Sequence, residues 1–324
     1  MNREGELDVF TFKRPREAQE WVAIVPDGGD LPQRHLACVM PGRGPEDRPA
    51  VCWLETAAWS DPTAALRSLR RRRGLASHPV VALLDRSQYQ LTLIESPEVP
   101  RDEWRQAMRW QLQDRLDFAA DQAALDLLEI PADPQPGRRA EILAVAAARE
   151  AVLPLLESAS RAGITVTAVD VLETALRNLS ALLETEGRAQ ALLQVGEHQS
   201  SLVITAQGEL LLSHQMNLVL ADLQQDDPQQ RQQAFERASL DLQRTLDSFD
   251  RSHSQLPLTR LLITPARGLE AFLAHVRELL YVPVQAFDLG DVLDLSAVPE
   301  LAADPHRLSA YLPAIGAALR PRLS

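Results

Sequence analysis

Short apolar runs separated by Gly, Pro and Asp open the folded part of the chain: VAIV at 22–25, HLACVM at 35–40 and AVCWL at 50–54. Runs of this length between turn residues predict three strands of a meander. The spacing then lengthens. Ala65, Leu66 and Leu69 share one face of a predicted helix from Pro62 to Arg73, and PVVALL at 79–84 reads as a short buried strand. QYQLTLIE at 88–95 alternates as a half-buried strand does. Trp104, Met108, Leu112 and Leu116 recur every four residues and predict an amphipathic helix, its start marked by Pro100 and the acidic pair Asp102 and Glu103. Strands at 125–130 and 141–148 flank the loop PADPQPGRR, expected to be a mobile surface excursion.

A helix over 149–162 ends at Gly163, a C-cap signal, followed by the strand ITVTAVDV and the helix LETALRNLSALLETE. The opening pattern then returns. Strands at 189–195, 200–205 and 209–214 precede a long helix in which Phe235, Ala238, Leu242, Leu246 and Phe249 form one apolar stripe. TRLLIT, a helix over 268–280, VPVQAF and a terminal helix around 306–320 complete the chain. Without the middle segment, each half reads βββ, α, β, α, β. This duplication predicts two similar α/β lobes, with ligands expected in the cleft at the carboxyl ends of the strands.

Composition narrows the function. At 324 residues the chain exceeds the roughly 250–300 over which one core grows, in keeping with two lobes. The net charge of -12 argues against nucleic acid as a partner. No apolar run reaches the roughly 18 residues of a membrane span, and MNREGELDVFTFKRP lacks the apolar core of a secretory signal, so a cytoplasmic protein is expected. Lys13 is the sole lysine and lies in the terminal segment, which excludes a P-loop, a Schiff-base enzyme and a protein kinase. Cys38 and Cys52 are too few for a disulfide framework or a zinc site; free thiols are expected, unless their strands are neighbours and let them pair.

Other motifs resolve into ordinary structure. PGRG at 41–44 is followed by Pro45 rather than by a helix start, the seven histidines show no metal-ligand spacing, and no GxSxG elbow occurs. RSLRRRRG at 67–74 reads as a basic helix end, with membrane-surface contact as the other reading. Asp114, Asp117 and Asp121 read as a solvated acidic edge, and FDLGDVLDL as a turn without calcium-ligand spacing.

Three stretches together resemble the type IV pilus assembly PilM family, and within it the MshI-like branch of mannose-sensitive haemagglutinin (MSHA) pilus systems. They are SPEVPRDEWRQAMRWQLQDRLDFAADQAALDLLEIP (96–131), AEILAVAAAREAVLPLLESASRAGITVTAVDVLETALRNLSALL (140–183) and YLPAIGAALRP (311–321). The resemblance implies an α/β, actin-like fold: duplicated ribonuclease H-like βββαβα lobes, with a small α+β insert in the first. It divides the chain into a flexible N-terminal segment (1–20), a first lobe (21–87 and 149–187) interrupted by the insert (88–148), a second lobe (188–304) and a C-terminal helix (305–324) returning to the first lobe. The long helix starts so soon after the last hairpin strand that the second lobe's upper subdomain is expected to be reduced. The family's implied role is cytoplasmic and peripheral to the inner membrane. It binds the cytoplasmic tail of a bitopic PilN-like protein, here an MshJ-like one, and thereby meets the pilus motor components. The tail is expected between the first-lobe strands and the insert.

In actin-like ATPases the first phosphate loop carries an aspartate two residues before a glycine, then hydroxyl residues. Here it reads AIVPDGGDLPQ, with Asp27, Gly28 and Gly29 after Pro26 and no hydroxyl. In the second, LLQVGEHQSS, Gln194 stands in the aspartate's place, Gly196 is kept, and Ser200 and Ser201 stand where hydroxyls are expected. In the third, LLITPARGLEAF, Pro265 and Ala266 stand in place of a glycine pair and only Gly268 is left. Magnesium at such sites is held by carboxylates, water and the phosphates themselves, and an uncharged amide cannot supply the carboxylate's share. The expectation is therefore a pseudo-ATPase: no catalytic residue, no metal and no cofactor, with ATP and magnesium binding as the alternative.

Overall fold

The computed structural model describes residues 20–26, 33–42, 47–130 and 141–320. The N-terminal segment 1–19, Asp27, Gly28, Gly29 and the whole of the loop at 131–140 lie outside the described residues.

The first lobe begins with strands β1 (Trp21–Pro26), β2 (Gln33–Met40) and β3 (Ala50–Ala58), antiparallel as a meander requires. β3 is longer than the apolar run AVCWL suggests, because Glu55 and Thr56 continue the pairing with β2 on opposite faces of the sheet, Glu55 satisfied by Arg72 and Arg73 and Thr56 by Tyr311. Helix α1 (Pro62–Arg73) starts where Asp61 accepts a hydrogen bond from the Ala64 amide at 3.0 Å, with Pro62 preset for the first turn. It leads into the buried strand β4 (Val80–Leu83), parallel to β1.

The chain next builds a separate three-stranded sheet. β5 (Tyr89–Glu95) leads to helix α2 (Trp104–Leu112), then to β6 (Ala123–Glu129) and β7 (Glu141–Ala148), with β7 in the middle. The amphipathic helix predicted to run through Leu116 stops at Leu112, and Leu116 reaches the same apolar cluster from the turn that follows. One face of this sheet packs on α2 through Ile94, Met108, Leu112, Leu125 and Ile142. The other turns Tyr89, Val145 and Ala147 toward the first lobe.

α3 (Arg149–Ala162) returns to that lobe and ends at Gly163, whose φ of 72° is the left-handed cap the sequence signals; its amide donates to the Ser160 carbonyl. β8 (Val166–Asp170) then completes a five-stranded sheet of order β3-β2-β1-β4-β8, and α4 (Leu172–Ala181) follows.

The second lobe repeats this order. β9 (Ala189–Gln194), β10 (Ser200–Ala206) and β11 (Glu209–Met216) form the meander, followed by the short α5 (Leu220–Leu223) and the long α6 (Pro228–Ser252). β12 (Leu258–Ile263), α7 (Leu269–Leu279) and β13 (Val284–Ala286) give a sheet of order β11-β10-β9-β12-β13, matching the first. Between Met216 and Pro228 the chain forms only α5, so no second-lobe upper subdomain is built there. After α8 (Glu300–Ala303), helix α9 (Pro305–Ala318) packs against β1, β2 and α4 of the first lobe. The largest apolar cluster runs continuously through both lobes by way of α4 and α9, with Leu176, Leu179, Leu312 and Ile315 fully buried.

Candidate functional site

The two sheets face each other across a cavity of about 670 Å³. The first lobe contributes Val25 and Pro26 from the end of β1, His35 from β2, and Leu83 to Ser87 from the end of β4. The second lobe contributes Gln194 to Gln199, Ser201 and Gln215, and α9 closes one side with Ser309, Ala310 and Pro313. This is the carboxyl end of β1, β4 and β9, where open α/β sheets take ligands, and the volume is ordinary for a small-molecule site.

Within the turn after β9, the polar groups are largely engaged with one another. The Gly196 amide donates to Ser200 Oγ at 3.3 Å, and that hydroxyl donates to the Leu218 carbonyl at 2.6 Å. The Val195 amide donates to Thr264 Oγ1 at 3.3 Å, and the Gly196 carbonyl accepts from the Leu220 amide at 2.9 Å. A Cβ on residue 196 would stand 2.2 Å from the Gln199 carbonyl oxygen, so the tightness of the turn itself requires glycine. A phosphate cradle needs amides aimed outward. Here two of those amides already have internal acceptors.

Gln194 is 7% exposed and lines the cavity. Its Nε2 donates to the Val195 carbonyl at 3.3 Å, while its Oε1 is buried without a hydrogen-bond partner. An acceptor in this state is satisfied by a donor entering the cavity, whether water or a ligand N–H or O–H. It brings no charge for a metal.

The candidate positions are thus only partly gathered. Gln194, Gly196 and Ser201 line the cavity, whereas Ser200 is fully buried behind the turn. Gly268, with φ 78°, caps α7 and packs against the Leu223 carbonyl, away from the cavity lining. Asp27, Gly28 and Gly29 fall outside the described residues.

Sequence reasoning passed over Asp85, Arg86 and His35, which also line the cavity. A carboxylate directly after the buried strand VVALL was the available signal, since it stands at a strand's carboxyl end. Asp85 caps the short turn that follows, its Oδ1 accepting from the Ser87 amide at 3.0 Å and from Ser87 Oγ at 2.6 Å. Arg86 lies over the Tyr89 ring, 4.8 Å from its centroid, and donates to the Tyr89 carbonyl at 3.1 Å.

Beneath the cavity, buried polar groups join three parts of the chain. Asp170 at the end of β8 pairs with Arg320 just past α9, and also accepts from Thr174 Oγ1 and from the Val171 amide. Tyr89 donates its hydroxyl hydrogen to Glu173 Oε2 at 2.7 Å, linking β5 to α4. Burial raises the carboxyl pKa of Glu173 despite Arg86 at 3.6 Å, and burial likewise pushes the Tyr89 phenol up. Asn178 donates to the Gly316 carbonyl at 2.9 Å, where α9 crosses α4.

A second surface lies between the three-stranded sheet and the first lobe. Leu91, Leu128, Leu156 and Val166 there are only partly buried, and Leu93, on the same strand face as Leu91, is 51% exposed. Among the described residues β5 pairs only with β7, and β8 only with β4, so each leaves one edge open. No helix among the described residues is long and apolar enough to cross a membrane.

Comparison with known proteins fits this architecture. A family model described as Type IV pilus assembly protein PilM matches residues 58–239, more than half of the chain. A solved PilM-PilN type IV pilus biogenesis complex superposes with a TM-score of 0.69 at 19% identity, covering 95% of this chain and 99% of that one. That agreement over nearly the full length of both chains shows the actin-like fold. Weaker likenesses are the cytoplasmic domain of EpsL, an inner membrane component of the Vibrio cholerae type II secretion system, and a Bacteroides thetaiotaomicron protein with an actin-like ATPase fold. The first has a TM-score of 0.46 at 16% identity over 75% of this chain and 82% of that one, and the second 0.47 at 10% over 91% and 96%. No curated protein matches the sequence significantly.

Proposed function

The chain belongs to the type IV pilus assembly protein PilM family, and from that membership we propose that it is a non-catalytic adaptor holding the cytoplasmic tail of a PilN-like inner-membrane protein. Within the family we assign it to the MSHA-like branch, with an MshJ-like partner and with pilus motor components as further contacts. Its place is then the cytoplasmic periphery of the inner membrane. The carrying observation is the apolar strip of the half-buried Leu91 and the exposed Leu93 on β5, a strand that leaves one edge open, with Leu128 on the same sheet face across β7. An extended peptide gains main-chain hydrogen bonds from such an edge and specificity from alternate side chains placed in apolar pockets.

The pseudo-ATPase part of the proposal rests on the turn after β9. Two of its amides, those of Val195 and Gly196, are engaged internally, and a glutamine stands in the aspartate's place. A nucleotide-dependent switch is the second reading, favoured by the interlobe cavity of about 670 Å³ and by the unpartnered Gln194 Oε1. Calorimetry with MgATP separates the two: no heat of binding is expected, and micromolar affinity would overturn the pseudo-ATPase reading.

The adaptor reading is tested with a labelled peptide of roughly the first dozen residues of the neighbouring inner-membrane protein, followed by fluorescence anisotropy. Leu93→Glu should weaken binding at least tenfold, while Leu240→Glu, an exposed leucine on α6, should leave it unchanged. Absence of binding to the folded wild-type chain would sink the proposal.

A further inference from the structure

Cys38 and Cys52, fourteen positions apart in sequence, are side by side in the fold. Pairing of β2 with β3 runs Cys38 to Trp53 and then Val39 to Val51, so Cys52 is the extra residue of a β-bulge. A regular ladder would alternate Cys52 to the face opposite Trp53. The bulge instead leaves both on the face of Cys38, and all three pack into the cluster formed with Leu66 and Leu69 of α1. Both cysteines are free thiols, Cys38 buried and Cys52 half-buried.

A carboxylate joins them. Glu20, the residue before β1, places Oε2 3.8 Å from Cys38 Sγ, and the donor atoms of Glu20, Cys38 and Cys52 all lie within 4.8 Å of one another. His78, between α1 and β4, stands outside this convergent set, with its Nδ1 3.6 Å from the same Glu20 oxygen. In a tetrahedral zinc site with bonds of about 2.0–2.3 Å, neighbouring ligand atoms are separated by roughly 3.3–3.8 Å. The three donors therefore need only a small contraction. Two thiolates, a carboxylate and an imidazole are a donor set suited to zinc and too soft for calcium or magnesium.

We propose that Glu20, Cys38 and Cys52, with His78 turning into the fourth position, bind one zinc ion that clamps the start of β1 to the β2–β3 bulge. On binding, the ion displaces two thiol protons to solvent. Zinc(II) with two thiolates, one carboxylate and a neutral imidazole has a net charge of -1. All four positions are filled by protein, which makes the site structural. It lies at the end of β1 opposite the interlobe cavity, since β1 runs from beside Glu20 to Pro26 in the cavity wall.

The test uses the tag-free full chain, fully reduced, with both thiols counted, and titrated with cobalt(II) and then zinc(II). One cobalt per chain is expected, with thiolate-to-cobalt charge-transfer absorption and tetrahedral visible bands, both bleached by one equivalent of zinc. Cys52→Ser should abolish the charge-transfer band, and Glu20→Gln should weaken metal affinity at least tenfold. Far-UV circular dichroism confirms that each variant is folded. Zinc should raise the melting temperature of the wild type and not that of Cys52→Ser. Reduced wild type that shows no charge-transfer band, or a Cys52→Ser variant that binds as tightly as wild type, overturns the proposal.

Discussion

Arg320 is the most informative residue to remove from the polar hub under the cleft. Its guanidinium pairs with Asp170, and the side chains are 7% and 2% exposed respectively. In Arg320→Met the long stem is retained and the charge is lost, leaving a carboxylate buried at the end of β8. Stripping one member from such a pair costs about 3–5 kcal/mol, because the other charge remains in a poorly solvated site. Asp170 keeps two donors, the Val171 amide at 3.0 Å and Thr174 Oγ1, which places the loss near the lower end. About 3 kcal/mol is expected from urea midpoints at unchanged m, together with a melting temperature lower by roughly 4 °C. Adding Asp170→Asn removes the orphaned charge, so the double variant should be more stable than Arg320→Met alone. A single-variant loss below about 1 kcal/mol, or a double variant less stable than the single, would refute the claim that an unpaired buried charge is the cause.

Glu173 gives a pH signature. Its carboxyl pKa is raised by burial above the ordinary 4.5, so the folded chain holds that proton more firmly than the unfolded chain. Its contribution to stability is then largest below that value and declines as pH rises through the folded pKa; Glu173→Gln should flatten this slope in pH-dependent urea melts. Gly316→Ala would set a Cβ 2.4 Å from the Ala175 carbonyl oxygen, forcing α9 away from α4 at a cost of about 1–3 kcal/mol, read as a lower melting temperature. Gly196→Ala meets the Gln199 carbonyl at 2.2 Å and should cost a similar amount with or without nucleotide present. Trp110→Ala, at a side chain 73% exposed on α2, should change stability by less than about 0.5 kcal/mol.

What the sequence revealed divides along physical lines. Elements with strong local signals were legible: α1 lies between Asp61 and Gly74 as its caps imply, and α3 covers the expected span up to Gly163. The duplicated strand order was legible too, because each meander repeats the same apolar runs. Edge positions were less so. β3 continues to Ala58 through ETAA, whose polar members carry no apolar period and find their partners only in the fold, Glu55 in Arg72 and Arg73 and Thr56 in Tyr311. Gln194 and Gly196 could be picked out from their place after a strand, but Ser200's turn away from the cavity could not. It depends on the Leu218 carbonyl, supplied by the segment after β11. The neighbourhood of Cys38 and Cys52 was hidden for the same reason, since one bulge residue decides which face Cys52 takes.

On the proposed pseudo-ATPase reading, the actin-like frame must hold its lobes together by its own contacts. Continuity of the core through α4 and α9 couples the lobes through buried apolar contacts, and Asp170, Arg320, Glu173 and Tyr89 add charged and hydrogen-bonded links between β8, α4, α9 and β5. None of these links needs a nucleotide to form. On that reading, a frame whose lobes are already tied together needs no phosphates to draw them closed. That frees the β9 turn to direct its amides inward to Ser200 and Thr264. The same ties run from the cleft to β5, the strand that carries Leu91 and Leu93. The proposed adaptor role would gain from this rigidity, because peptide binding then requires little ordering of the receptor.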